Sequence, residues 1–209
     1  QLIEELRAVV GDDEHLNRAL PDNLIQLDSM HIQRGMEFLN PLFDACYNHL
    51  EVNLKHISYN TDQVVTWKNF QPHFLKEFNN RWYCIGFVSP DGMTKVALDR
   101  IEELNVNRES FDPFPIGIES FFENIIGVSK KVGEDPVAIE LKVDPVQARY
   151  LESKPLHHSQ ELLSKGDDVW KFQISVIPNF ELYQTLLQFG ENVEVISPGF
   201  VRQRMAERV

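Results

Sequence analysis

Cations are scarce in this chain: 20 Lys and Arg stand against 32 Asp and Glu, for a net charge of -12. That shortage excludes a surface built to coat duplex DNA, which requires a basic footprint. No apolar run approaches the roughly 20 residues that span a bilayer, and no signal-peptide pattern is visible, so no membrane partner is expected. There are only two cysteines, Cys46 and Cys84, and their separation matches no metal or redox motif. Free thiols in a reducing cytosol are the simplest expectation, with a single disulfide as the alternative. The sequence also lacks a Ser-His-Asp order, a phosphate-cradling glycine loop and a metal signature. Neither catalytic residues nor a cofactor or metal are therefore assigned. The first residue is Gln1 rather than Met, which leads us to expect a missing upstream part.

What is present suits a soluble globular protein: 43% hydrophobic and 25% charged residues. At 209 residues the chain is long enough for two small domains. Charge is unevenly spread. Residues 1–50 carry 3 basic against 9 acidic residues, residues 51–110 carry 7 against 8, and residues 111–209 carry 10 against 15. The near-neutral centre is the best place for an anion to bind.

Hydrophobic spacing divides the chain in the same places. Residues 1–50 read as a helical linker region: a short amphipathic helix from Leu2 to Val10, an exposed stretch from Pro21 to Met30, and a helix from Met36 to about Leu50. Residues 51–110 switch to short strands: Leu54–Tyr59, Val64–Gln71, Phe74–Phe78, Arg81–Val88, Lys95–Leu98 and Ile101–Val106. Hairpin links at Asn79-Asn80 and Ser89-Pro90-Asp91-Gly92 predict a small, curved antiparallel barrel. Two prolines in Asp112-Pro113-Phe114-Pro115 mark the next boundary. After a short helix at Ile118–Ile126, residues 137–196 follow the order β-α-β-β-α-β, the ferredoxin-like arrangement. A last helix follows Pro198. The fold class expected is α+β.

The most informative stretch is Pro72 to Leu104. Arg81-Trp82-Tyr83 opens a strand, and Asp99-Arg100 follows one hairpin later. Guanidinium groups bond carboxylate or phosphate, and aromatic rings supply a stacking face. Strand alternation puts Arg81, Tyr83 and Ile85 on one face and Trp82, Cys84 and Gly86 on the other. Trp82 with Cys84 makes the better core pair, leaving Arg81 and Tyr83 for a ligand.

Arg81-Trp82-Tyr83-Cys84-Ile85-Gly86, the preceding Pro72-His73-Phe74-Leu75-Lys76 and the following Leu98-Asp99-Arg100-Ile101 resemble a WYL domain. That family is named for a Trp-Tyr-Leu triplet and consists mostly of bacterial transcription regulators. Phe121-Phe122, Ile126-Gly127-Val128, Ser159-Gln160, Phe189-Gly190 and Pro198 resemble the C-terminal extension that usually follows it. The resemblance covers roughly residues 36–209. It implies an Sm- or SH3-like β-barrel at 51–110 and a ferredoxin-like extension at 111–209. It also implies an N-terminal winged helix-turn-helix for operator DNA, absent from this chain, and a homodimer. The barrel is then expected to sense a nucleotide or short single-stranded nucleic acid. Cys84 departs from the family name, where Leu stands, and is read as a smaller core residue.

The ligand-binding set expected is Arg81, Tyr83 and Arg100, with Ser58, Tyr59, Lys68 and His73 completing the rim. Five of the seven have a plainer role beside the binding one. Arg81 could pair with Asp99, Tyr83 could pack against the extension, Arg100 could buttress a salt bridge, Lys68 could be solvated, and His73 could be structural. His157-His158 are read as surface and packing residues, and Lys130-Lys131 as a solvated loop. The competing functions are a nucleotide-processing hydrolase and a ligand-free dimerisation module.

Overall fold

Two asparagines fix the register of the central sheet. Asn79 and Asn80 both adopt left-handed backbone, with φ of 50° and 58°, the geometry of a two-residue hairpin turn that asparagine tolerates well. The turn pairs Phe78 with Arg81, so every later residue of the Arg81 strand has a set partner. The computed structural model describes residues 34–208, except 60, 89–91, 114, 116, 131 and 132. The helix expected at Leu2–Val10 and the stretch Pro21–Met30 lie outside the described residues. All described residues fall in one unit, 33–209.

The unit opens with a 3-10 turn at Met36–Phe38 (η1) and a helix at Leu39–Tyr47 (α1). Pro41 sits in the first turn of α1, where its missing N–H costs nothing. Strands follow at Leu50–Ser58 (β1), Gln63–Phe78 (β2), Arg81–Val88 (β3) and Gly92–Ala97 (β4). A 3-10 turn at Leu98–Arg100 (η2) then leads into Ile101–Ser110 (β5). The two strands expected at 64–71 and 74–78 are one 16-residue strand. Its pairing with β1 ends at Phe70, so Pro72 pairs only with Gly86 of β3 and its missing donor meets an unpaired edge.

These five strands form an antiparallel sheet in the order β4-β3-β2-β1-β5. No ladder joins β4 to β5 among the described residues, so the expected closed barrel is instead an open sheet. β4 is short and pairs only with β3, and η2 intervenes before β5 turns onto β1. One face buries Leu42, Ala45, Val52, Leu54, Phe70, Cys84, Val96 and Leu98, with Trp67 and Trp82 packed against them. Gly86 makes room for this core, since a Cβ there would collide with the Phe70 ring and the Gln71 carbonyl oxygen.

A short helix at Ile118–Phe122 (α2) precedes the second sheet, which is built from Val137–Val143 (β6), Glu161–Lys165 (β7), Trp170–Val176 (β8) and Val193–Ser197 (β9). Helices at Pro145–Ser153 (α3) and Phe180–Leu187 (α4) interleave with the strands in the order β-α-β-β-α-β. A helix at Gly199–Ala206 (α5) closes the chain. The sheet order is β7-β8-β6-β9, with all neighbours antiparallel. The second strand of this sheet, β7, starts only at Glu161, so His157 and His158 lie in the loop before it. The Asp144 carboxylate starts α3, accepting from the backbone N–H groups of Val146 and Gln147 at 2.8 and 3.1 Å.

Candidate functional site

Two ladders bring the site together near the start of β3. The pairing of Tyr83 with Ala97 brings η2 beside that end of β3. The pairing of His56 with Ile101 brings Arg100 beside the end of β1, where Tyr59 follows in the turn. Arg81, Asp99, Arg100 and Tyr59 therefore meet, although 41 residues separate Tyr59 from Arg100.

Arg81 Nε lies 3.1 Å from Asp99 Oδ2, with the two side chains 43% and 20% exposed. Burial alone would lower the pKa of Arg81. The Asp99 charge and a hydrogen bond with the Tyr83 hydroxyl outweigh burial, and the guanidinium is held above its ordinary value. The Arg100 guanidinium lies over the Tyr59 ring, 4.3 Å from its centroid, a cation–aromatic contact. Tyr59 is 57% exposed, so one ring face is covered by a cation and the side chain still reaches solvent.

Unpartnered buried atoms concentrate here. Asp99 Oδ1, Arg100 Nε and His56 Nε2 are buried without a hydrogen-bond partner, as are Asp144 Oδ2 and Glu181 Oε2 elsewhere in the described residues. His56 packs against Trp67 at 4.4 Å between ring centroids. Burial, reinforced by the charge of Arg100, lowers its pKa against a hydrogen bond at the Ile57 backbone. His56 was not anticipated. The sign of it in sequence is its position, two residues beyond buried Leu54 on the inward face of β1.

The expected residues thus divide. Arg81, Tyr83, Arg100 and Tyr59 come together, and Ser58 adjoins them as the last residue of β1. Its carbonyl accepts from the Thr61 backbone N–H at 3.2 Å. His73 lies elsewhere: it falls between the pairs Pro72–Gly86 and Phe74–Ile85, about 16 Å along β3 from Arg81 at strand spacing. There its Nδ1 is 2.7 Å from the Gln71 carbonyl oxygen and its ring packs on Phe87 and Phe111. Lys68 is exposed near the β1–β2 bulge, beyond the pair Leu54–Trp67 and far from Ser58. Trp82 and Cys84 occupy the opposite, core face.

The plainer roles are also visible. Arg81 pairs with Asp99, and Tyr83 packs against the cluster of Ile85, Phe121, Phe122, Ile125 and Ile177. That cluster forms the seam between the two sheets, and a polar network lines it. Lys95 Nζ lies 3.1 Å from Glu181 Oε1 and also donates to Ser129 Oγ, while Ser129 Oγ donates to Glu181 Oε1 at 2.5 Å. Lys76 Nζ donates to the Gly127 carbonyl at 2.8 Å and lies 3.9 Å from the Phe122 ring centroid. The two cysteines, 38 residues apart in sequence, are hydrogen-bonded to each other. Among the described residues no group of three or more His, Cys, Asp or Glu side chains is arranged to hold a metal.

A WYL domain model matches residues 37–106, and a WCX domain model matches residues 135–209. No curated protein matches the chain. Among solved structures it is similar to proteasome accessory factor B/C (PafBC) of Arthrobacter aurescens, at 17% identity and a TM-score of 0.36. That match covers 86% of this chain and 27% of that one. It is also similar to a CRISPR Cas-related protein, at 9% identity and a TM-score of 0.50, over 83% of this chain and 49% of that one. The second likeness is one of fold. The chain spans about a quarter and about half the length of these two proteins.

Proposed function

From the premise that the chain belongs to the proteins joining a WYL domain to a WCX domain, we propose that it is the ligand-sensing and dimerisation region of a WYL-type transcriptional regulator. The whole regulator would carry a DNA-binding domain N-terminal to this chain and act in the bacterial cytoplasm. Residues 51–110 form its sensing domain and 111–209 its extension. The strand order and the 3-10 turn before β5 support an Sm- or SH3-like arrangement for the first, although its sheet stays open. The fully antiparallel order β7-β8-β6-β9 supports a ferredoxin-like arrangement for the second.

The observation that carries this reading is the meeting of Arg81 and Arg100 around Tyr59, above three unpartnered buried atoms. Two guanidiniums fix a phosphate far better than one, and a ring beside them stacks a base. A nucleotide or short single-stranded nucleic acid is the ligand this chemistry fits. Its binding would act only by unequal affinity for two dimer arrangements, which shifts the attached DNA-binding domains. A second reading, a ligand-free scaffold, is favoured by the Arg81–Asp99 pair and by the packing of Tyr83 into the seam.

Fluorescence anisotropy with a labelled, 5′-phosphorylated pentathymidylate separates these readings. The sensor reading expects saturable binding that weakens about tenfold in Arg100→Gln, the loss of a charge-assisted contact, and that weakens with added salt. Absence of binding by the folded chain favours the scaffold. Cleavage of the oligonucleotide in the presence of Mg²⁺ or Mn²⁺ would favour a hydrolase instead.

A further inference from the structure

Leu42, Ala45 and Cys46 recur at i, i+3 and i+4 along α1, so they share one face of that helix. Leu42 and Ala45 are fully buried in the core that also holds Cys84. The face carrying Cys46 is therefore turned toward the sheet. Cys84 lies inside that sheet, opposite Leu75 of β2 and Val96 of β4. Its thiol donates a hydrogen bond to the Cys46 sulfur, so the only two cysteines of the chain face each other. Their surroundings differ. Cys84 is fully buried, whereas Cys46 is only partly so. One sulfur meets solutes from water, and the other meets only its neighbour.

We propose that Cys46 and Cys84 are a site of reversible oxidative modification, which closes an intrachain disulfide when the chain meets a peroxide. The Cys46 thiolate attacks one peroxide oxygen. The O–O bond breaks, hydroxide leaves and takes up a proton, and Cys46 becomes a sulfenic acid. The Cys84 sulfur then attacks the Cys46 sulfur: the S–S bond forms, the S–O bond breaks, and the departing hydroxide takes the Cys84 proton as water. Two thiols and one hydrogen peroxide thus give one disulfide and two waters, with two electrons passing from sulfur to oxygen. The existing contact makes the second step intramolecular. The link fastens α1 to β3 and closes a loop that contains β1 and β2. Such a closure removes freedom from the unfolded chain and stabilises the folded one. The thiol pair and the arginine patch lie on opposite faces of β3, so neither needs the other.

Treating the reduced 209-residue chain with hydrogen peroxide tests the proposal, followed by iodoacetamide in urea and peptide mass spectrometry. The expected product is a single chain about 2 Da lighter, from the loss of two hydrogens. Neither cysteine should then alkylate, the Cys46 and Cys84 peptides should be joined, and dithiothreitol should restore both thiols. Cys84→Ala should leave Cys46 as a sulfenic acid that dimedone traps, and Cys46→Ser should leave Cys84 an unmodified thiol. The urea midpoint of the parent should rise on oxidation and return with dithiothreitol. Urea unfolding also establishes that each variant is folded. Where Cys84→Ala fails to fold, the parent peptides and Cys46→Ser still decide. The proposal is overturned when both thiols of the treated parent still alkylate, or when Cys46 passes to sulfinic or sulfonic acid with Cys84 free. It is equally overturned when the link joins two chains, when Cys84 oxidises in folded Cys46→Ser, or when oxidation lowers the urea midpoint, since α1 would then have left the sheet to form the link.

Discussion

Arg81 Nε meets Asp99 Oδ2 at 3.1 Å, joining the first residue of β3 to the 3-10 turn between β4 and β5. The contact holds the guanidinium at the edge of the arginine patch and also places a negative charge beside it. Asp99→Asn keeps the side-chain shape and removes that charge. Affinity for the phosphorylated pentathymidylate should rise about fivefold, equivalent to ~1 kcal/mol for a charge pair near 4 Å in a water-like medium. Anisotropy titration measures it, and weaker binding would show that Asp99 serves to orient Arg81.

Trp82 points away from the patch and packs half-buried against the core around Phe70 and Cys84. Trp82→Ala should cost about 3 kcal/mol of stability, the lower end for a large aromatic because part of the ring is already exposed. Phe70→Ala, at a fully buried ring, should cost more, about 4–5 kcal/mol. Urea unfolding gives both values, and the reverse order would contradict the assignment of the core face.

Lys95 and Glu181 are unequally buried, at 32% and 8% side-chain exposure. Lys95→Met strands a buried carboxylate, whereas Glu181→Gln leaves an ammonium that reaches water. The first change should destabilise by about 3 kcal/mol and the second by about 1. Equal losses in urea unfolding would mean that Lys76 balances Glu181 unaided.

His56, His73 and His157 all have lowered pKa values, with burial the largest cause in each. Below the ordinary value of about 6.5, the unfolded chain binds protons that the folded chain refuses, so stability falls as pH drops. The urea midpoint should therefore decline from about pH 7 toward pH 5. His73→Phe, which keeps a ring among Phe87 and Phe111, should flatten part of that decline. An unaltered slope would remove His73 from the set.

Burial, followed by the hydrogen bond that the Cys84 thiol donates to Cys46, pushes the Cys84 thiol well above its ordinary pKa. Cys46 is only partly buried. Iodoacetamide at pH 8 should label one thiol of the folded chain, at Cys46, and both in urea. Mass spectrometry of the labelled peptides reads the result, and rapid labelling of Cys84 in the folded chain would show that this core opens.

Some of this was written in short stretches of chain. Period-two alternation along residues 81–86 separates Arg81 and Tyr83 from Trp82 and Cys84 without any knowledge of neighbours. Asn79-Asn80 sets its own turn, because asparagine adopts left-handed backbone at little cost. The β-α-β-β-α-β order follows from local changes of hydrophobic period. The strand through Pro72 was read as two pieces for the same reason: a proline interrupts the pattern locally, and only the end of the β1 pairing at Phe70 shows that its missing donor is harmless.

Which residues meet across the fold is another matter. Sequence alone determined the WYL signature, the faces of β3 and the succession of elements, because each depends on backbone preferences within a few residues. Tertiary structure decided that Tyr59 sits beneath Arg100, that His73 lies at the far end of β3, that Cys46 touches Cys84, and that Glu181 finds Lys95. Those meetings depend on sheet register and on the docking of two sheets. Both are set by burial summed over dozens of distant side chains, which no local pattern encodes.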